Sequence, residues 1–144
     1  MSSNGTPAVR LRMPAMPDAV GVARQALTGA CEALGLGPRA TGDVRLAVSE
    51  ACTNVVAHAY RDQPEPGELE VSVLIVPGEL TVIVRDRGSG IAPRVEGGGL
   101  GLGLPLIAAL TRRAEIVEPP GGGTEVAMTF VTGESETRSE VPTA

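Results

Sequence analysis

The sequence contains almost no aromatic residues and no lysine. Its 144 residues include one Tyr, one Phe and no Trp, and all 12 positively charged side chains are Arg. A chain with so few rings is poorly equipped to stack nucleic-acid bases, and its formal charge of -5 argues against the clustered cations that bind nucleic acids or anionic membranes. Without lysine, a phosphate-binding loop of the GxxxxGK[ST] type is excluded. We therefore expect no nucleic-acid partner and no membrane partner.

Cysteines and long apolar runs are also scarce. The two cysteines, Cys31 and Cys52, fall on predicted helices among apolar neighbours, so we interpret them as reduced core thiols and not as a disulfide or a metal site. Because we find no signal peptide and no run of 18 apolar residues, we expect a cytoplasmic protein. The length suits one ordinary domain.

Hydrophobic periodicity predicts one domain over residues 8–132, between a disordered leader at 1–7 and a mobile tail at 133–144. Strands are predicted at Val9–Met13, Leu69–Val76, Leu80–Asp86, Ala114–Glu118 and Thr124–Thr132, and helices at Asp18–Leu36, Thr41–Tyr60 and Gly101–Leu110. Thr41 is the expected cap of the second helix, with Asp43 in its first turn. Tight turns between consecutive strands favour a two-layer α+β sandwich, in which three helices cover one face of a mixed, mostly antiparallel sheet.

The second predicted helix carries an acid and an amide on one face. Glu50 and Asn54 are four residues apart, so their side chains project from the same side, roughly 6 Å from each other. A solvated helix face is the ordinary explanation of such a pair. Here the neighbouring residues are apolar or small on nearly every other side, which indicates a largely covered helix. A half-buried glutamate in that position is a candidate for chemistry.

The second candidate group is Asp86 with the glycines that follow it, in the sequence DRGSG. Strand alternation puts Asp86 on the same face as Leu80, Val82 and Val84, which is the buried face. A simple turn after a strand would explain the glycines equally well. An unpaired buried carboxylate is costly, however, and glycines allow the backbone to approach a ligand closely. The carboxylate could therefore accept a hydrogen bond from an exocyclic amine such as that of adenine.

The third candidate is the segment Gly97–Leu104, with the sequence GGGLGLGL, which opens the third predicted helix. Glycines allow backbone N–H groups to turn towards an anion, and the helix start adds the positive end of its dipole. A flexible linker is the alternative, but linkers seldom carry leucine at alternate positions. The segment is thus a candidate phosphate cradle that needs no lysine. Gly123 and Thr124, at the start of the last strand, form a fourth and weaker motif.

Together, and in this order, these motifs resemble the nucleotide-binding boxes of the GHKL ATPases, which have the Bergerat fold. The boxes are ExxxN at Glu50 and Asn54, DxGxG at Asp86 to Gly90, GxGLGL at Gly99 to Leu104, and GT at Gly123 and Thr124. Within that superfamily, the short chain and the sequence EACTNVVAHAY are most similar to bacterial anti-sigma factor serine/threonine-protein kinases. The resemblance covers about Val9 to Val131.

This resemblance implies ATP and Mg²⁺ as cofactors and a role for each box. Glu50 would be the catalytic base, Asn54 would hold Mg²⁺, and Asp86 would bind the adenine amine. The implied ATP-binding residues are Asn54, His58, Asp86, Gly88, Gly90, Ile91, Gly99, Leu100, Gly101, Leu102, Gly103, Leu104 and Thr124. No Ser or Cys is placed as a nucleophile for His58, so we interpret its imidazole as structural or partner-facing and not as catalytic. Arg61 and Arg94 both remain candidates for a contact to the terminal phosphate.

The resemblance also implies partners: a sigma factor that is sequestered, and an anti-anti-sigma protein that is phosphorylated on serine or threonine. It further implies a homodimer. Two alternatives stay open at this point. The chain could be a nucleotide-gated binding module without kinase activity, or a detached histidine-kinase ATPase domain that acts on a histidine of another protein.

Overall fold

The computed structural model of the chain describes residues 7–88 and 103–132. The described strands are β1 (Val9–Pro14), β2 (Glu68–Val76), β3 (Glu79–Asp86), β4 (Arg113–Val117) and β5 (Thr124–Val131). The described helices are α1 (Pro17–Ala33), α2 (Pro38–Asn54) and α3 (Gly103–Leu110). A single π-helical turn (Val55–Ala59), called the π-turn below, continues α2. Every predicted element is present, with ends that differ by at most a few residues.

The five strands form one sheet in the order β1-β2-β3-β5-β4. All four pairings between these strands are antiparallel, which agrees with the expected α+β architecture. A mixed sheet was expected, but no parallel pair occurs among the described strands. The reason is topological: the hairpins β2-β3 and β4-β5 reverse the chain by short turns, and β5 then adds to the free edge of β3 in the antiparallel sense.

The hydrophobic core lies between one face of this sheet and the helices. The sheet contributes alternate residues to it, and these are Leu69, Val71, Val73, Leu80, Val82, Val84, Val126, Met128 and Phe130. From the helices, small and branched residues such as Ala23, Leu27, Val44 and Val48 fill the space that aromatic rings occupy in many domains. Cys31 and Cys52 are free and buried in this core, as predicted. None of the described helices is long and apolar enough to cross a membrane.

Two details of α2 were predicted wrongly, and a third is new. The helix begins at Pro38 with Gly37 as its N-cap, so Thr41 is not the cap and Asp43 lies beyond the first turn. Proline is well suited to the first helical position, because its φ is already helical and it has no N–H to satisfy there. At the other end, the regular α-helix stops at Asn54 and changes to the π-turn, a distortion that is frequent at functional sites.

Candidate nucleotide-binding site

Asp86 and Thr124 lie opposite each other at one end of the sheet. The strand register pairs Leu69 with Asp86, and Asp86 with Thr124, across β2, β3 and β5. Both polar side chains are on the helix-facing side, and each residue is only 2% exposed. This confirms the strand parity inferred for Asp86. Directly opposed residues have Cβ atoms about 5 Å apart, so the Asp86 carboxylate and the Thr124 hydroxyl lie close together at the edge of an apolar layer.

The Asp86 carboxylate is held by the chain that follows it. Its Oδ1 accepts a hydrogen bond from the Gly88 N–H at 2.9 Å. Burial raises the pKa of Asp86 above its ordinary value of 3.8, and the Gly88 hydrogen bond opposes that rise. Keeping an ionised carboxylate in this place therefore carries a free-energy penalty that a hydrogen-bond donor from a ligand would reduce. Perturbed acids of this kind are concentrated at functional sites.

Two of the predicted glycines are required by close backbone approaches. A Cβ at Gly88 would overlap the carbonyl oxygen of Ala59 on the π-turn, and a Cβ at Gly123 would overlap the carbonyl oxygen of Asp86. Gly123 also has a φ of +88°, which side chains rarely adopt. Gly88 was expected to bring backbone close to a ligand. The contact that demands a glycine there is internal, and it brings the π-turn against the turn after β3.

Asn54 is the last residue of α2 and is 6% exposed. Its Nδ2 is buried and has no hydrogen-bond partner among the described residues. A buried amide without a partner is unusual, and rotation of the amide by 180° would present the oxygen at the same position. The donor and acceptor set therefore suits either a phosphate oxygen or a hard cation. One turn earlier, Glu50 is partly exposed on the same helix face.

The helix end and the strand end meet at the π-turn. Asn54 precedes Ala59 by five residues, roughly 7 Å along the helix axis, and Ala59 contacts Gly88 as described above. The next residue, Tyr60, is buried, and its hydroxyl hydrogen-bonds the backbone on both sides of the β2-β3 end. Sequence reasoning did not assign a role to Tyr60. The available signal was that it is the single tyrosine of the chain and directly follows the ExxxN helix.

The remaining predicted site residues are only partly covered by the described chain. Gly103 begins α3, and Leu104 is half-buried and packs against the core. His58 is half-buried on the π-turn, and Arg61, just beyond it, is exposed. The other predicted residues lie outside the described ranges, namely Gly90, Ile91, Arg94, Gly99, Leu100, Gly101 and Leu102.

Comparison with known proteins agrees with this geometry. Residues 13–130 match the family described as the histidine kinase-like ATPase domain. Similar curated proteins include a protein named serine-protein kinase RsbW from Bacillus pumilus, 40% identical over 81 residues, which covers 56% of this chain and 50% of the relative. The RsbW of Bacillus subtilis is 36% identical over 85 residues, with 59% of this chain and 52% of the relative covered. The chain thus spans about half the length of the curated relatives it matches.

Solved structures show the same fold. A crystal structure of the RsbU and RsbW domains of a Mycobacterium tuberculosis protein has a TM-score of 0.67 and 24% identity, covering 88% of this chain and 34% of that chain. The SiaB-SiaC complex from Pseudomonas aeruginosa has a TM-score of 0.60 and 17% identity, covering 87% of this chain and 90% of that chain. At these identities, the likeness concerns the fold alone.

Proposed function

Because the chain belongs to the histidine kinase-like ATPase domain family, we propose that it is an ATP- and Mg²⁺-dependent serine/threonine-protein kinase of the anti-sigma factor type. It sequesters a sigma factor and phosphorylates an anti-anti-sigma protein. The observation that supports this proposal most is the buried Asp86–Thr124 pair, against which the end of the Glu50–Asn54 helix is packed through the π-turn. In this proposal, Asp86 reads adenine, and the adjoining helix supplies Asn54 as the metal ligand and Glu50 as the base.

The adenine end of the site is assigned to Asp86 and Thr124. Oδ1 of Asp86 is occupied by the Gly88 N–H, so the second carboxylate oxygen, Oδ2, takes the exocyclic amine of adenine. The Thr124 hydroxyl, on the neighbouring strand, assists at the same edge of the base. Guanine presents a carbonyl where adenine has its amine, so two acceptors would face each other. Binding of ATP and ADP is therefore expected to be much tighter than binding of GTP.

The phosphate end is assigned to Asn54 and to the glycine segment before α3. Magnesium prefers hard oxygen ligands and takes most of them from phosphates and water, so one amide oxygen is a sufficient contribution from the protein. The buried amide of Asn54, whose Nδ2 has no hydrogen-bond partner within residues 7–88 and 103–132, fits that role. When bound, the cation neutralises charge on the phosphates during transfer. Residues 99–102 and Gly103, which belong to the glycine-rich segment, would surround the phosphates, with Arg61 or Arg94 contacting the terminal one.

Glu50 is assigned as the general base. It removes the proton from the serine or threonine hydroxyl of the acceptor as the hydroxyl oxygen bonds to the terminal phosphorus. The bond between that phosphorus and the oxygen it shares with the second phosphate breaks, and ADP leaves. Glu50 lies one helical turn from Asn54 and is partly exposed, so an incoming hydroxyl can reach it. Proton transfer of this kind typically contributes a factor on the order of 10² to 10⁴ in rate.

The partners and the cellular setting come from the family likeness. Relatives that carry the name serine-protein kinase support protein phosphorylation on serine. The sigma factor, the anti-anti-sigma protein, the homodimer and the cytoplasmic location belong to the same proposal. Light scattering on the purified chain, at concentrations above and below about 1 μM, would test the homodimer directly.

Transfer of labelled phosphate tests the proposed reaction. The protein is incubated with Mg²⁺, ATP labelled on its terminal phosphate, and an anti-anti-sigma protein from the same organism that is shown to bind it. The expected result is an acceptor that carries label on serine or threonine, stable in acid. An acid-labile product would instead identify a histidine kinase acting in trans. Nucleotide-dependent binding without any transfer would identify a binding module.

A further inference from the structure

Tyr60 occupies a special position at the end of the β2-β3 ladder. Its hydroxyl accepts a hydrogen bond from the Arg87 N–H at 2.7 Å and donates one to the Glu68 carbonyl at 2.6 Å. The ladder ends with the pair Leu69 and Asp86, and the same register would next place Glu68 opposite Arg87. The phenol therefore lies where these two residues would otherwise approach each other. Its hydroxyl binds the Arg87 N–H and the Glu68 carbonyl, which would otherwise bind each other, and so lies between the two strands.

The ring of Tyr60 fits a space that two glycines leave open. A Cβ at Gly67 would overlap Cε1 of the ring, and a Cβ at Gly88 would come within 2.8 Å of Cδ1. The residue is 8% exposed, so the ring is part of the packed layer and has little freedom to move. The Tyr60 ring is thus packed between Gly67 and Gly88. This packing joins the residue before β2, the end of the π-turn and the turn after β3.

This arrangement acts on the acid that the proposed function assigns to adenine. The Arg87 N–H donates to the Tyr60 hydroxyl, and β3 ends one residue earlier, at Asp86. Gly88 then turns its own N–H back to Oδ1 of Asp86 at 2.9 Å. The carboxylate is thus held by a turn whose first residue, Arg87, is itself hydrogen-bonded by the phenol. Tyr60 reaches Asp86 only through the backbone of Arg87 and Gly88, so its role would be one of positioning.

We propose that Tyr60 is a positioning residue for adenine recognition: by separating β2 from β3 at Arg87, its hydroxyl orients the Asp86 carboxylate towards the exocyclic amine. This inference rests on the proposed ATP site. It predicts that removing the hydroxyl alone will change which base is preferred, and not only how stable the fold is. In Tyr60→Phe, the Arg87 N–H and the Glu68 carbonyl lose the hydroxyl that they share, and a direct bond between them needs both to move, which turns Gly88 and Asp86.

The test compares ATP with inosine triphosphate, whose base carries a carbonyl in place of the amine. Calorimetry gives the ratio of the two affinities for the wild type, for Tyr60→Phe and for Thr81→Val. The control removes a partly buried hydroxyl hydrogen bond, 3.1 Å from Thr129, on the sheet face opposite the helices. We expect the preference for ATP to fall roughly tenfold in Tyr60→Phe, because a charge-assisted hydrogen bond is weakened, and to stay unchanged in Thr81→Val.

A second measurement needs no variant. Tyr60 is the only tyrosine, so selective ¹³C labelling of tyrosine gives ring NMR signals from Tyr60 alone. ATP is expected to shift these signals more than inosine triphosphate does at equal saturation. If Tyr60→Phe folds and keeps the full preference, or if saturating ATP leaves the tyrosine signals in place, the positioning role is wrong while the ATP site stands. If the wild type binds ATP no better than inosine triphosphate, both the adenine site and this inference fail.

Discussion

Replacing Asp86 with Asn separates the contribution of this residue to binding from its effect on stability. The two side chains have nearly the same shape, but the carboxylate has two acceptor oxygens and the amide has one. In the wild type, Oδ1 accepts from Gly88 and Oδ2 is assigned to adenine. In Asp86→Asn, the single oxygen serves one of these donors, and the amide NH₂ faces the other. Hydrogen bonds to charged groups contribute about 1.5–3 kcal/mol, so ATP affinity should fall by roughly 10- to 150-fold.

The same change should stabilise the protein without nucleotide. Burial raises the pKa of Asp86 above 3.8, so the folded state favours the neutral carboxyl and resists ionisation at pH 7. The stability associated with that proton is fully present below pH 3.8 and is lost as the pH rises through the raised folded pKa. Asn never ionises. The advantage of Asp86→Asn in free energy of unfolding should therefore grow from pH 3.5 to pH 7, by about 1.4 kcal/mol for every pH unit by which the folded pKa lies above 3.8.

Two assays and one control variant measure these effects. Calorimetry with ATP and inosine triphosphate gives the change in binding. We expect Asp86→Asn to reduce or reverse the preference for ATP over inosine triphosphate, because the new amide NH₂ can donate to the carbonyl of the inosine base. Urea unfolding at several pH values gives the stability change. Asp62→Asn removes the same charge from an exposed residue and should alter neither quantity. The reasoning is refuted if Asp86→Asn binds ATP as tightly as the wild type, or if its relative stability falls as the pH rises.

Two further predictions concern the packing around the site. Gly123→Ala should destabilise the fold by about 1–3 kcal/mol in urea unfolding, since its Cβ meets the Asp86 carbonyl. The control Gly122→Ala, at a φ of +100° but with open space around its Cβ, should lose less stability. Equal losses in the two variants would contradict the close approach. Cys31 and Cys52 should react with a thiol reagent only after unfolding, because both are buried and burial raises the pKa of Cys52 to about 12; fast labelling of the native protein would show that this part of the core opens.

Local patterns were sufficient to predict the positions of the elements and the face on which Asp86 lies. Strand alternation needs no knowledge of partners, so the burial of Asp86 followed from its spacing to Val84. The start of α2 was missed because Thr41 was taken as its cap, whereas the helix begins with a proline at its first position. The role of Tyr60 depends on hydrogen bonds to Glu68 and Arg87, and no short-range pattern reveals a contact made 27 residues away along the chain.

The two glycines in the DxG and GT boxes illustrate the same limit. Their presence near a site was evident from the sequence, but the reason for Gly88 is the carbonyl of Ala59 on another element. The π-turn was also beyond prediction, since its apolar sequence fits an α-helix equally well. The remaining site predictions, at Gly90, Ile91, Arg94 and residues 99–102, lie outside the described chain and stay predictions.

The central claim is that Glu50 is the base of a phosphoryl transfer whose metal is held by Asn54. Single-turnover transfer of labelled phosphate to a bound anti-anti-sigma protein, with ATP affinity measured in parallel, tests it most directly. Glu50→Gln should bind Mg²⁺ and ATP almost as the wild type does and transfer phosphate about 10² to 10⁴ times more slowly. Asn54→Ala should lose Mg²⁺-dependent affinity, and Glu32→Gln, on the exposed side of α1, should match the wild type in both measurements. Transfer by Glu50→Gln at the wild-type rate would contradict the account.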